Sequence, residues 1–141
     1  MKKLLFITLS LLAFGLVLVN CSKEDDEKPM TTTGLFGTWT LDHYADNGKL
    51  VEEILCSKKI TYVFLKNSTY TKTVYAGEGS TRCVVALVVN GTWKDKGENQ
   101  FELKPNGSDN SDLFQLVFHD NFTKFVIVHS PTYTEVYTKR Q

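Results

Sequence analysis

Three histidines, three cysteines and a scatter of carboxylates are the side chains of this 141-residue chain that could carry chemistry. His43, His119 and His129 lie in separate stretches of the sequence. Asp112 with His129 would suit a base and the group that orients it, but no serine or cysteine stands ready as their nucleophile. Nothing matches G-x-S-x-G, H-E-x-x-H, a phosphate-binding loop or an EF-hand loop. A metal held by His43 and His129 would lack further ligands, and three cysteines, Cys21, Cys56 and Cys83, are too few for a four-thiolate zinc site. The sequence therefore assigns no catalytic residue, no metal and no cofactor.

The elements that position these residues come from composition and pattern. Sixteen basic and sixteen acidic side chains balance, which argues against a nucleic-acid partner. A hydrophobic share of 42% and a charged share of 23% exclude a disordered chain, and the length suits one domain.

Lys2 and Lys3 precede a mostly apolar run over residues 4–19. As a helix it would span roughly 24 Å, short of the roughly 30 Å hydrocarbon core, so a secretory signal peptide over residues 1–20 fits better than an uncleaved anchor. Leu18-Val19-Asn20-Cys21 resembles the lipobox of bacterial lipoproteins, with Asn20 where Gly or Ala is usual. The resemblance implies that Cys21 is lipidated and anchors the chain to a membrane. Residues 21–34 then read as an acidic, flexible tether. Its charged start, Ser22-Lys23-Glu24-Asp25-Asp26-Glu27-Lys28, resembles the export signal of surface-exposed Bacteroidetes-type lipoproteins. That implies the outer face of an outer membrane, with the periplasm-facing side as the alternative. With Cys21 committed to lipid, Cys56 and Cys83 remain as a pair in an oxidising compartment, where a disulfide is the default. Two free thiols or a redox pair is the competing reading, without a C-x-x-C motif to support it.

Residues 35–141 are nearly all strand in pattern. Val, Thr, Tyr and Phe recur in runs over residues 36–45, 59–66, 69–76, 83–94, 100–104, 113–119, 122–129 and 132–139, separated by turn-like breaks. Residues 49–55 alone suit a helical turn. The fold class expected is all-β, a single antiparallel up-and-down barrel of about eight strands. In the first run Trp39, Leu41 and His43 share one face, Thr40, Asp42 and Tyr44 the other. A two-residue turn at Asp120 and Asn121 would set Leu116 opposite Phe125, Phe114 opposite Ile127 and Asp112 opposite His129. An odd-length turn around Gly97 would set Trp93 opposite Phe101 and Gly91 opposite Leu103.

One tripeptide occurs twice, Gly37-Thr38-Trp39 and Gly91-Thr92-Trp93. Glycine lets a backbone approach closely, and tryptophan fills a barrel end. Gly37-x-Trp39 with Arg140 after the last strand resembles the lipocalin signature, and the order of Cys56, Phe64, Asn67, Tyr70, Cys83 and Gly91-x-Trp93 is similar to the lipocalin-like domain of Bacteroidetes-type lipoproteins. The resemblance implies a barrel end capped by Gly37, Trp39 and Arg140, a basic side chain lying over the Trp39 ring; Lys139 could take the place of Arg140.

Two functions follow as expectations. In one, the barrel binds a small hydrophobic ligand lined by Trp39, Leu41, His43, Phe64, Val85, Leu87, Trp93, Phe101, Phe114 and Phe125. In the other, side chains fill the barrel and its surface serves a larger outer-membrane complex, through exposed tyrosines such as Tyr44, Tyr75, Tyr133 and Tyr137.

Overall fold

The computed structural model describes residues 34–141. The expected signal peptide, Cys21 and all but the last residue of the tether lie outside the described residues. Nine strands form one antiparallel sheet: β1 (Gly37–Asp46), β2 (Lys49–Val51), β3 (Ile60–Phe64), β4 (Thr69–Ala76), β5 (Val84–Gly97), β6 (Gln100–Pro105), β7 (Asp112–His119), β8 (Lys124–Ser130) and β9 (Tyr133–Lys139). Pairing of β1 with β9 closes β1 and β3–β9 into an eight-stranded barrel, as expected, and β2 adds a short hairpin outside it. Residues 49–55 thus do not coil. Asn47 and Gly48 take φ of 50° and 75°, the left-handed pair of a tight hairpin turn, and the helical turn falls later, at Cys56–Lys58.

The alternating inward residues make one core, from Leu35 and Trp39 through Tyr62, Phe64, Phe101 and Phe125 to Tyr137. Every buried apolar member of that core lies between Leu35 and Tyr137, so a fragment starting at residue 22 keeps all of it.

Four local irregularities reset the registers the alternation predicts. At the β7–β8 turn, Asp120, Asn121 and Phe122 all have positive φ, which lengthens the loop. Leu116 therefore faces Ile127 and Phe118 faces Phe125, two residues away from the expected register but on the same inner face. At the β5–β6 turn, Glu98 and Asn99 form a two-residue left-handed pair and a bulge between Asp95 and Gly97 restores the face. Trp93 faces Leu103 there, and Gly91 faces Pro105 rather than Leu103.

The other two corrections move side chains across the wall. A bulge between Leu41 and His43 leaves His43 opposite Val136 and Tyr44 opposite Glu135. Cross-strand partners share a face, so His43 joins the outer surface and Tyr44 the interior, the reverse of strict alternation. A bulge between Val74 and Tyr75 likewise sets Val85 opposite Tyr75, on the outer face. Leu87 stays opposite inward Val74 but is 54% exposed, because β6 pairs with β5 only from Gly91 onward.

Candidate functional site

The two poles of the barrel differ. At one, Trp39 is fully buried and its indole N–H donates to the Leu35 carbonyl at 2.7 Å, folding residues just before β1 under the barrel. Phe125 and Phe118 pack on the same indole, with centroids 4.6 and 6.4 Å away. The cation over Trp39 is Lys139, its Nζ 5.1 Å from the ring centroid and donating to the Gly34 carbonyl at 3.1 Å. Arg140 is not the cap: its Nε donates to the Thr40 hydroxyl at 2.8 Å, on the outside of the barrel. Alternation explains the swap. Lys139 pairs with Trp39 across β9 and β1, and the next residue must point away. Gly37 makes the room, since a Cβ there would stand 2.7 Å from Lys139 Cε. Burial lowers the Lys139 pKa.

The second Gly-Thr-Trp works the same way. A Cβ on Gly91 would stand 2.3 Å from the Lys104 carbonyl and 2.6 Å from the Tyr70 ring, so glycine admits Tyr70 to the interior. Trp93 donates from its indole to the Leu65 carbonyl at 3.2 Å.

The opposite pole is a mouth with an apolar floor. Tyr62, Phe64, Phe101, Leu103, Phe114, Leu116, Phe125 and Ile127 line a concavity of about 250 Å³ counted out to open solvent. The enclosed part of it has room for about one water molecule, so the depth of the barrel is filled by its own side chains. Of the residues expected to line a ligand, Phe64, Phe101, Phe114 and Phe125 do border this floor. Leu41, Trp39 and Trp93 are core beneath it or beside it, while His43 and Val85 sit on the outer face and Leu87 on an exposed extension.

Glu135 forms a polar hub on the mouth wall that the sequence reading did not single out. It is buried, and it accepts the Tyr133 hydroxyl on Oε1 at 2.9 Å and the Tyr137 hydroxyl on Oε2 at 2.9 Å. His129 Nε2 lies 3.0 Å from the same Oε2. His129 thus pairs with Glu135 and not with Asp112, which faces Leu103. The signal was the alternation Tyr133-x-Glu135-x-Tyr137, a carboxylate between two aromatics on one face. Burial, with Glu135 nearby, raises the phenol pKa of both Tyr62 and Tyr137. The tyrosines expected at an exposed contact surface are otherwise engaged: Tyr137 is fully buried, Tyr133 bonds Glu135, Tyr44 packs on Tyr133, and Lys59 lies over Tyr75.

The mouth's other wall carries a disulfide, Cys56 to Cys83, with Cα atoms 5.0 Å apart. It ties the β2–β3 connection to the β4–β5 loop, reinforced by the Cys56 N–H donating to the Gly79 carbonyl at 2.8 Å. Among the described residues, no three His, Cys, Asp or Glu side chains converge as metal ligands, and no helix is long and apolar enough to cross a membrane.

A closed antiparallel meander with one pole plugged by tryptophan and the other open over an apolar floor is a small up-and-down barrel. The chain belongs to the lipocalin-like domain family, whose pattern residues 35–125 match. No curated protein matches the sequence.

Proposed function

We propose that this chain is a lipoprotein of the cell envelope, anchored through Cys21, whose lipocalin-like barrel binds a small hydrophobic ligand at its mouth. The observation that carries the reading is the apolar floor from Tyr62 to Ile127, open to solvent and edged by the Glu135 hub. An open apolar concavity with polar groups at its edge is where a small barrel binds a ligand. Its small depth restricts the ligand to one that rests on the floor instead of being engulfed. No catalysis is assigned to it.

The test is native mass spectrometry of residues 22–141 purified from a bacterial periplasm, followed by organic extraction. A stoichiometric apolar adduct supports a carrier, whereas a bare mass with no binding from a lipid panel removes the ligand. The anchor is tested by Cys21→Ser, which should release the full-length chain from membranes. We place the anchor on the outer membrane, barrel outward, as in surface-exposed Bacteroidetes-type lipoproteins. Protease shaving of intact cells checks that placement, and protection until lysis would turn the barrel towards the periplasm.

A second reading has its own observation. With its interior filled by its own side chains, the barrel also suits an accessory module of an outer-membrane complex. Val84, Val85, Leu87 and Val88 stand exposed where β5 outruns β6, the apolar surface such a module would offer.

A further inference from the structure

One edge of β5 is bare over half its length. β6 pairs with it only from Gly91 onward, and just past that ladder the Asn106 N–H donates to the Asn90 carbonyl at 2.9 Å. From Val84 to Val89 no described strand lies on that side, while β4 pairs along the other. Backbone N–H and C=O groups along such an edge are a template for another strand. The side chains make the same offer. Val84, Val85, Ala86, Leu87 and Val88 are all exposed, with Leu87 opposite inward Val74 and Val85 on the outer face. The run Val84–Asn90 holds no charge, proline or glycine. β2 is also an edge of the sheet, yet it is three residues long, begins at Lys49 and is followed by Glu52 and Glu53, the usual protection of an edge. The bare edge is held ready for a partner. Cys83, next to Val84, is bridged to Cys56, and Gly77 lets the intervening loop close, since a Cβ there would collide with the Arg82 carbonyl.

We infer that β5 pairs antiparallel with β5 of a second copy over Val84–Asn90, joining the two β4–β5 hairpins into one four-stranded sheet. The edge defines its occupant. Open backbone groups call for an extended strand, and apolar side chains on both faces call for an uncharged one. The charge run Ser22–Lys28 of the same chain fails the second condition. A second β5 meets both. An uncharged segment has nothing to repel its own copy, and antiparallel pairing about a two-fold covers both bare edges at once, so assembly closes at two chains. With the two-fold at Leu87, that residue faces its counterpart, Val85 faces Val89 and Val84 faces Asn90. The two-fold turns the plugged poles to opposite ends of the pair. Residues 22–33 reach up to about 40 Å when extended, more than the ten-residue β1, so both chains can hold one support. The pairing stands whether or not the mouth takes a ligand, and it gives to a second copy the apolar surface that an accessory module would offer to other proteins.

Sedimentation velocity of residues 22–141 tests the pairing. The chain should pass reversibly from monomer towards dimer between about 1 and 500 µM, the weak range of a contact smaller than a standard interface. Leu87→Lys sets two like charges together at the two-fold and should leave a monomer across that range, as should Leu87→Glu. An equimolar mixture of the two variants should recover the dimer, which misfolded variants would not do. A parent chain that stays monomeric overturns the inference, as does a dimer that survives both substitutions or a mixture that stays monomeric. Assembly beyond two chains overturns the two-fold. Ligand at the mouth is read separately, as an adduct mass on the monomer, so the failure of either claim is distinguishable from the failure of the other.

Discussion

Lys139 lies over the indole of Trp39 with its ammonium 5.1 Å from the ring centroid, joining the last strand to the first at the plugged pole of the barrel. Sequence similarity alone points to the neighbouring Arg140, whose guanidinium instead reaches the hydroxyl of Thr40. The two basic residues therefore give opposite expectations. Lys139→Gln should destabilise the barrel by about 1–2 kcal/mol, the value of a partly desolvated cation–π contact. Arg140→Gln should change stability by less than about 0.5 kcal/mol, as for other exposed polar contacts. Urea denaturation of both variants checks the pair, and a larger loss in Arg140→Gln would return the cap to that residue.

The disulfide predicts a second loss. Joining Cys56 to Cys83 closes a loop with a sequence separation of 27, worth about 3–4 kcal/mol on the chain-entropy account. Cys56→Ser with Cys83→Ser should lower the unfolding free energy by that amount and shift the denaturation midpoint down accordingly, and reductant should do the same to the native chain. A midpoint insensitive to reductant would mean the bridge is not formed.

The Glu135 hub should resist conservative change. Glu135→Gln retains shape but replaces one acceptor oxygen by a donor, leaving a hydroxyl of Tyr133 or Tyr137 without its partner. A cost of about 1–3 kcal/mol is expected. Calorimetric melting measures it, with Tyr133→Phe in the Glu135→Gln background recovering part of the loss if the unpaired hydroxyl is its cause.

Alkaline pH should unfold the barrel. Tyr62 and Tyr137 have folded-state pKa values raised above the ordinary 10.0, chiefly by burial. Below pH 10 both states keep these protons; above it the unfolded chain loses them first, so stability falls as pH rises. Each phenol contributes at most about 1.4 kcal/mol per pH unit. The lowered pKa of Lys139 acts in the opposite sense. Chemical denaturation from pH 8 to 12 should show the decline beginning near pH 10, and Tyr62→Phe should make it shallower.

Much of this arrangement is written in alternation. The strands, the closure, the inner set Phe101, Leu116, Phe125 and Ile127, and the tryptophan plug all follow from period-two pattern and turn residues. What alternation cannot convey is where it slips. The bulges beside Asp42 and Ala86 exchange His43 for Tyr44 at the interior and turn Val85 outward, and no residue type announces them. The same limit hid the hub. Parity along β9 decides whether Tyr133, Glu135 and Tyr137 face the interior or Thr134 and Val136 do, and only the pairing with β1 and β8 decides parity. A carboxylate between two tyrosines looks like surface until those partners are known.

The chain enters the barrel through Leu35, beneath Trp39, at the plugged pole. Any surface that holds the molecule by residues preceding Leu35 therefore holds it by its stopper. The ten residues of β1 lead away from that point, and with the tilt of barrel strands they lift the floor's opening by roughly 25 Å. Glu135 and the Cys56–Cys83 bridge stand towards the end of the barrel away from that attachment, so whatever the floor receives arrives from the side opposite the stopper.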